Sequence, residues 1–134
     1  MKNSSEWKRD SAADSQHLAA ELMGRFRRER CNLPSIALST DTSTLPAIGN
    51  DYRYKDVFRR QAEALCVSGG VLVGFSTSGN SKNVCLALES AKLIGAFAIA
   101  LAGESGGTMA TIADITIHVK SRDTARIQEA HILA

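Results

Sequence analysis

The chain has 134 residues, 44% of them hydrophobic and 22% charged, and carries a net charge of +2. A chain of this length is one domain able to bury roughly two thirds of its unfolded surface, and this composition excludes a disordered or membrane-embedded protein. No apolar run approaches a bilayer span, the start Met1-Lys2-Asn3 lacks a signal-peptide core, and the net charge is too small to imply nucleic acid, so a cytoplasmic protein with no membrane or nucleic-acid partner is expected.

Residues 1–10 are polar and aperiodic and predict a poorly ordered segment. The spacing of Ser11 and Asp14 resembles a capping box and predicts a helix from Ser11 to about Arg28, with Leu18, Leu22 and Phe26 on its apolar stripe. Asp14, His17, Glu21, Arg25 and Arg28 fall on another face, so His17 and Glu21 stand one turn apart, their β-carbons about 6 Å from each other. Arg25, Arg27, Arg28 and Arg30 read as basic residues near a helix C-terminus. Asn32-Leu33-Pro34 breaks the helix. Ser35 to Ser39 reads as the first strand, closed by a polar loop from Thr40 to Thr44, and Gly49-Asn50-Asp51 reads as a turn. From Tyr54 to Cys66 the period is helical, with Val57, Phe58, Ala62 and Leu65 facing inward and Ser68-Gly69-Gly70 ending it.

The continuous apolar run Val71 to Phe75 suits a strand buried on both faces. It ends at Ser76 and gives way to the hydroxyl-rich turn Ser76-Thr77-Ser78-Gly79-Asn80-Ser81. A helix follows from Asn83, with Val84, Leu88 and Ala91 on one stripe. Strand, hydroxylic turn and helix N-terminus make a natural anion site, although Ser78 or Ser81 could equally be a plain N-cap. Phe97 to Leu101 is the third strand, Gly103 to Gly107 its loop, Thr108 to Ile112 a short helix and Asp114 to Val119 an alternating fourth strand with His118 on its polar side. Thr124 onward turns helical and carries Gln128 and His131. Cys31, Cys66 and Cys85 lack metal or redox spacing, fit a reducing compartment and read as small core or surface residues.

Strands alternating with helices predict an α/β fold with a mainly parallel sheet and helices on both faces. Ligands of such sheets bind outside the carboxyl ends of the strands, here Ser39-Thr40-Asp41, Ser76 to Ser81, Gly103 to Gly107 and Ser121-Arg122-Asp123. There is no G-x-G-x-x-G and no P-loop, which disfavours a dinucleotide or nucleoside triphosphate; a small phosphorylated polyol fits better.

Four stretches in order, Ser11 to Leu22, Ala47 to Asp51, Ser76 to Ser81 and Arg126 to His131, resemble the bacterial phosphoheptose isomerases, which are built on the three-layer, Rossmann-like SIS domain. The resemblance runs from Ser11 to the last residue and implies an incomplete SIS domain over 11–134, truncated at both ends. Lys8, Arg9 and Asp10 stand where the family has a glycine-rich loop, and the chain ends before a further family histidine. What the resemblance implies about activity is interconversion of sedoheptulose 7-phosphate and D-glycero-D-manno-heptose 7-phosphate through an enediol, towards the heptose of lipopolysaccharide. It also implies zinc and a homotetramer. Residue by residue, Ser76, Thr77, Ser78 and Ser81 match the phosphate site, Asn50 and Asp51 sugar contacts, and His17, Glu21 and Gln128 zinc ligands, of which Glu21 and Gln128 also contact substrate. Glu21 matches the residue that moves the proton between C1 and C2. Two other outcomes are a non-catalytic phosphosugar-binding module and a protein that associates with a replication initiator.

Without the resemblance, His17 and Glu21 read as a solvated helix face, Gln128 as a surface glutamine, and His131 and His118 carry no role.

Overall fold

The computed structural model describes residues 4–133, with side chains from Ser11 onward. Three apolar runs form β1 (Val71–Ser76), β2 (Phe97–Ala102) and β3 (Ile115–His118), in the order β1-β2-β3 with both pairings parallel. Ser76 pairs with Ala102 and Ala102 with His118. All three strands therefore finish level, and the loops that follow them emerge side by side.

Parallel strands need crossovers, and these are α4 (Lys82–Ile94) between β1 and β2 and α5 (Gly107–Ile112) between β2 and β3. Both pack on the sheet face that carries Leu72, Gly74, Ala98 and Ala100, where Cys85, Leu88, Ala98, Ala100 and Met109 form the core. The small residues on this face allow close approach. A β-carbon at Gly74 would come within 2.7 Å of Val84 Cγ1. On the opposite face Phe75 meets His131 of α6 (Thr124–Leu133) edge-on, and α1 (Ser4–Met23) packs against β1 and α6. Val71, Phe97 and Ile115 on that face remain more than half exposed.

The predicted α/β fold with a parallel sheet stands, and several elements differ in detail. The first helix begins at Ser4, ahead of Ser11, because nothing between them is a breaker and Ser11 sits inside the helix instead of capping it; the expected disorder of residues 1–3 lies outside the described residues. It ends at Met23, short of Arg28. There Arg30 donates to the carbonyls of Leu22 and Glu21 at 3.0 and 2.8 Å and so stops the helix, leaving Phe26 exposed beyond it with φ +50°. A basic residue does therefore serve the helix C-terminus, as expected.

Residues 35–39 form no strand among the described residues. The segment has no ladder partner. The Leu38 carbonyl accepts from Gln61 Nε2 at 3.0 Å, and Ile36 is exposed. The predicted turn at Gly49-Asn50-Asp51 is instead the last turn of α2 (Thr44–Asp51). Asp41 starts that helix: its carboxylate accepts from the Ser43 and Thr44 amides at 2.9 and 2.8 Å and from the Thr44 hydroxyl at 2.7 Å. A 3-10 turn, Tyr54–Asp56, then leads into α3 (Val57–Leu65), which buries Val57 and Ala62 but leaves Leu65 exposed. Along β3 the expected alternation is lost: Ile115 and Ile117 are exposed together with His118, and Thr116 is half-buried. No described helix is long and apolar enough to cross a membrane.

Candidate functional site

The hydroxyl-rich turn folds in on itself at the end of β1. Ser76 is buried, and its Oγ lies 2.8 Å from Ser81 Oγ and 3.4 Å from Ser78 Oγ. The Gly79 amide donates to Ser76 Oγ at 3.2 Å, and the Asn80 amide to Ser78 Oγ at 3.2 Å. Ser81 is the N-cap of α4, yet its side chain makes no capping hydrogen bond. The plain-cap reading therefore fails at Ser81, whose hydroxyl instead meets Ser76 Oγ and joins the serine cluster.

This turn is locked to the loop after β2. Gly79 has φ +71°, and a β-carbon there would come within 2.1 Å of the Gly106 carbonyl oxygen. Only glycine permits both the left-handed backbone and that approach. Met109 N donates to the Gly79 carbonyl at 2.9 Å, and Asn80 Oδ1 accepts from Thr108 N and Thr108 Oγ1 at 2.9 and 3.0 Å. Gly103 N in turn donates to the Thr77 carbonyl at 3.1 Å.

A cavity of about 710 Å³ opens at the strand ends, walled by Thr77, Ser78 and Asn80 from the first loop, Glu104 and Ser105 from the second, Ser121 and Arg122 from the third, and Thr124 and Ile127 from α6. Its size suits a small metabolite. Its two charged residues face each other, Arg122 Nε standing 2.7 Å from Glu104 Oε2. The carboxylate beside it raises the Arg122 pKa further above its ordinary value. Hydroxyls and amides at the start of a helix, with one cation in the wall, are donors matched to a phosphate ester.

His17 and Glu21 lie together on α1 with Nε2 and Oε1 3.8 Å apart, both partly exposed. Gln128 is buried on α6, the helix against which α1 packs. Among the described residues no group of three or more His, Cys, Asp and Glu side chains could hold a metal ion. A metal here would take an imidazole and a carboxylate from α1, both common donors to zinc, and need the Gln128 carboxamide oxygen as a neutral third donor. Asn50 and Asp51 are exposed at the end of α2, and like His17, Glu21 and Gln128 they are not in the cavity wall.

Residue patterns alone did not mark Asn80, Glu104, Arg122 or Thr124 as site residues, although all but Thr124 fall in loops already placed at the carboxyl ends of the strands. They also gave no role to His131. That side chain is buried, donates from Nε2 to the Ala102 carbonyl at 3.3 Å, and has its Nδ1 without a hydrogen-bond partner. Burial holds its pKa below the ordinary value, opposed by the Ala102 bond and the Asp14 charge.

Comparison with known proteins matches residues 9–103 to the SIS domain. The chain is 57% identical over 122 residues to the phosphoheptose isomerase of Aquifex aeolicus and 59% identical over 122 residues to that of Campylobacter concisus, covering 91% of this chain in both cases. It spans 64% and 65% of the length of those two relatives. Among solved structures, the phosphoheptose isomerase of Neisseria gonorrhoeae superposes with a TM-score of 0.85 at 49% identity, covering 92% of this chain and 66% of that one. That of Francisella tularensis gives 0.87 at 38% identity, with the same coverage of each chain.

Proposed function

This chain belongs to the SIS-domain family, and from that premise we propose that it is a ketose–aldose isomerase of a heptose 7-phosphate. The observation that carries the reading is the cavity at the level strand ends, walled by Thr77, Ser78 and Asn80 of a serine-rich turn. Its support is the identity to phosphoheptose isomerases over 91% of the chain.

In this reading the Ser76, Thr77, Ser78 and Ser81 hydroxyls and the first amides of α4 hold the phosphate, with the helix N-terminus favouring its negative charge. The phosphate anchors the far end of the sugar, so that C1 and C2 are presented in a fixed pose. Asn50 and Asp51 contact the sugar hydroxyls. Glu21 removes the proton from the carbon beside the carbonyl and returns it to the neighbouring carbon, while a second proton passes between O1 and O2. The intermediate is the enediol. His17, Glu21 and Gln128 would hold zinc, which when bound supplies Lewis-acid polarisation of the carbonyl oxygen. We further propose a cytoplasmic homotetramer supplying heptose for lipopolysaccharide.

Incubating the purified chain with zinc and sedoheptulose 7-phosphate in deuterated water tests this directly. The aldose phosphate should appear carrying deuterium at C2, and Glu21→Gln should abolish both conversion and exchange. A ketose pool that stays unconverted and unlabelled would refute the isomerase. Heat of sugar-phosphate binding without exchange would assign a binding module in its place.

A further inference from the structure

The cavity wall has two charged residues on different loops: Glu104 after β2 and Arg122 after β3. Their 2.7 Å ion pair balances them, so the wall has no net charge. Bringing a phosphate dianion into that wall sets it against Glu104, unless Arg122 turns to the ligand. The Arg122 side chain is 91% exposed and that of Glu104 50%, and so exposed a pair is weakly held. Arg122 engages Glu104 through Nε, and the planar guanidinium has terminal N–H groups suited to grip two phosphate oxygens at once.

We propose that Arg122 is a phosphate-binding residue of this cavity, held by Glu104 while the cavity is empty and transferred to the ligand's phosphate on binding. It rests on the reading that the cavity takes a phosphorylated sugar, and it adds a specificity rule. Ligands carrying a dianion break the Glu104 pair and are retained; neutral sugars leave the latch closed. Glu104 in this scheme opposes anion binding and keeps Arg122 from weaker anions.

Titration calorimetry of the whole chain with inorganic phosphate tests the proposal, because both side chains are exposed and their replacement leaves the core untouched. Arg122→Gln should weaken phosphate binding about tenfold or more. Arg122→Lys keeps the charge but loses the fork, and should fall between parent and Arg122→Gln. Glu104→Gln should tighten binding several-fold, and only while Arg122 is present. Ser78→Ala serves as the control for the underlying site. If Ser78→Ala weakens binding but Arg122→Gln leaves it within about twofold of the parent, Arg122 is no ligand and the proposal is overturned while the hydroxyl site survives. Arg122→Lys indistinguishable from parent would likewise overturn the direct contact, leaving only a distant charge. Phosphate heat absent in the parent, or unchanged by Ser78→Ala, removes the hydroxyl site and with it this proposal.

Discussion

His131 stands where α6 meets the ends of β1 and β2, edge-on to Phe75 and bonded to the Ala102 carbonyl. That bond uses Nε2–H, so the neutral ring leaves Nδ1 as a buried acceptor, and protonation would bury a charge that the Asp14 carboxylate offsets in part. Burial is the larger influence and lowers the pKa. Between the lowered folded value and the ordinary unfolded one near 6.5, the unfolded chain binds more protons than the native one. Stability from this group is therefore complete above pH ~6.5 and declines as the pH falls towards the folded value. Urea unfolding at a series of pH values should show that decline in the parent and a flatter profile in His131→Gln over the same window. Superimposable profiles would mean that His131 titrates alike in both states.

Helix α4 illustrates how far local pattern reaches. The Val84, Leu88, Ala91 stripe places Leu88 against Gly74 and Met109, and Leu88 is fully buried as its spacing predicts. Leu88→Ala should cost about 3 kcal/mol, read as a lower urea midpoint with unchanged slope; a loss under about 1 kcal/mol would show that α5 collapses into the gap. The strands β1 and β2 and the hydroxyl turn were equally plain, because each is written in adjacent residues. What escaped depends on partners distant in sequence. Residues 35–39 have strand-like composition, but a strand needs a neighbour to pair with, and none lies beside them among the described residues. Gly49-Asn50-Asp51 has turn residues, but Asp41 caps the segment from upstream and carries it into a helix. Gln128 looked like a surface residue because the periodicity of α6 is weak, whereas it is buried on a helix that packs against α1 from the other end of the chain. The cavity wall repeats the lesson. Ser78 was readable from its own turn, whereas the meeting of Glu104 with Arg122 requires β2 and β3 to finish level.

The two helices proposed to share zinc come from opposite ends of the chain, α1 from the first residues and α6 from the last, and they touch each other beside β1. An ion held by His17 and Glu21 on one and Gln128 on the other would close a loop from α1 to α6 that includes all three strands. Such an ion binds the native chain and not the unfolded one, so it stabilises by mass action, about 2.7 kcal/mol at a hundred times its dissociation constant. A thermal melt should therefore shift upward when zinc is added to chelator-treated protein, and return when the chelator is restored. The same shift should vanish in Gln128→Ala as well as in His17→Ala, since loss of the α6 donor breaks the tie even with the α1 pair intact. A shift that survives Gln128→Ala would confine zinc to α1, where two donors one turn apart hold the ion without joining the ends of the fold. No shift in the parent at any zinc concentration would remove the metal from the proposed mechanism and leave Glu21 to move the proton without it.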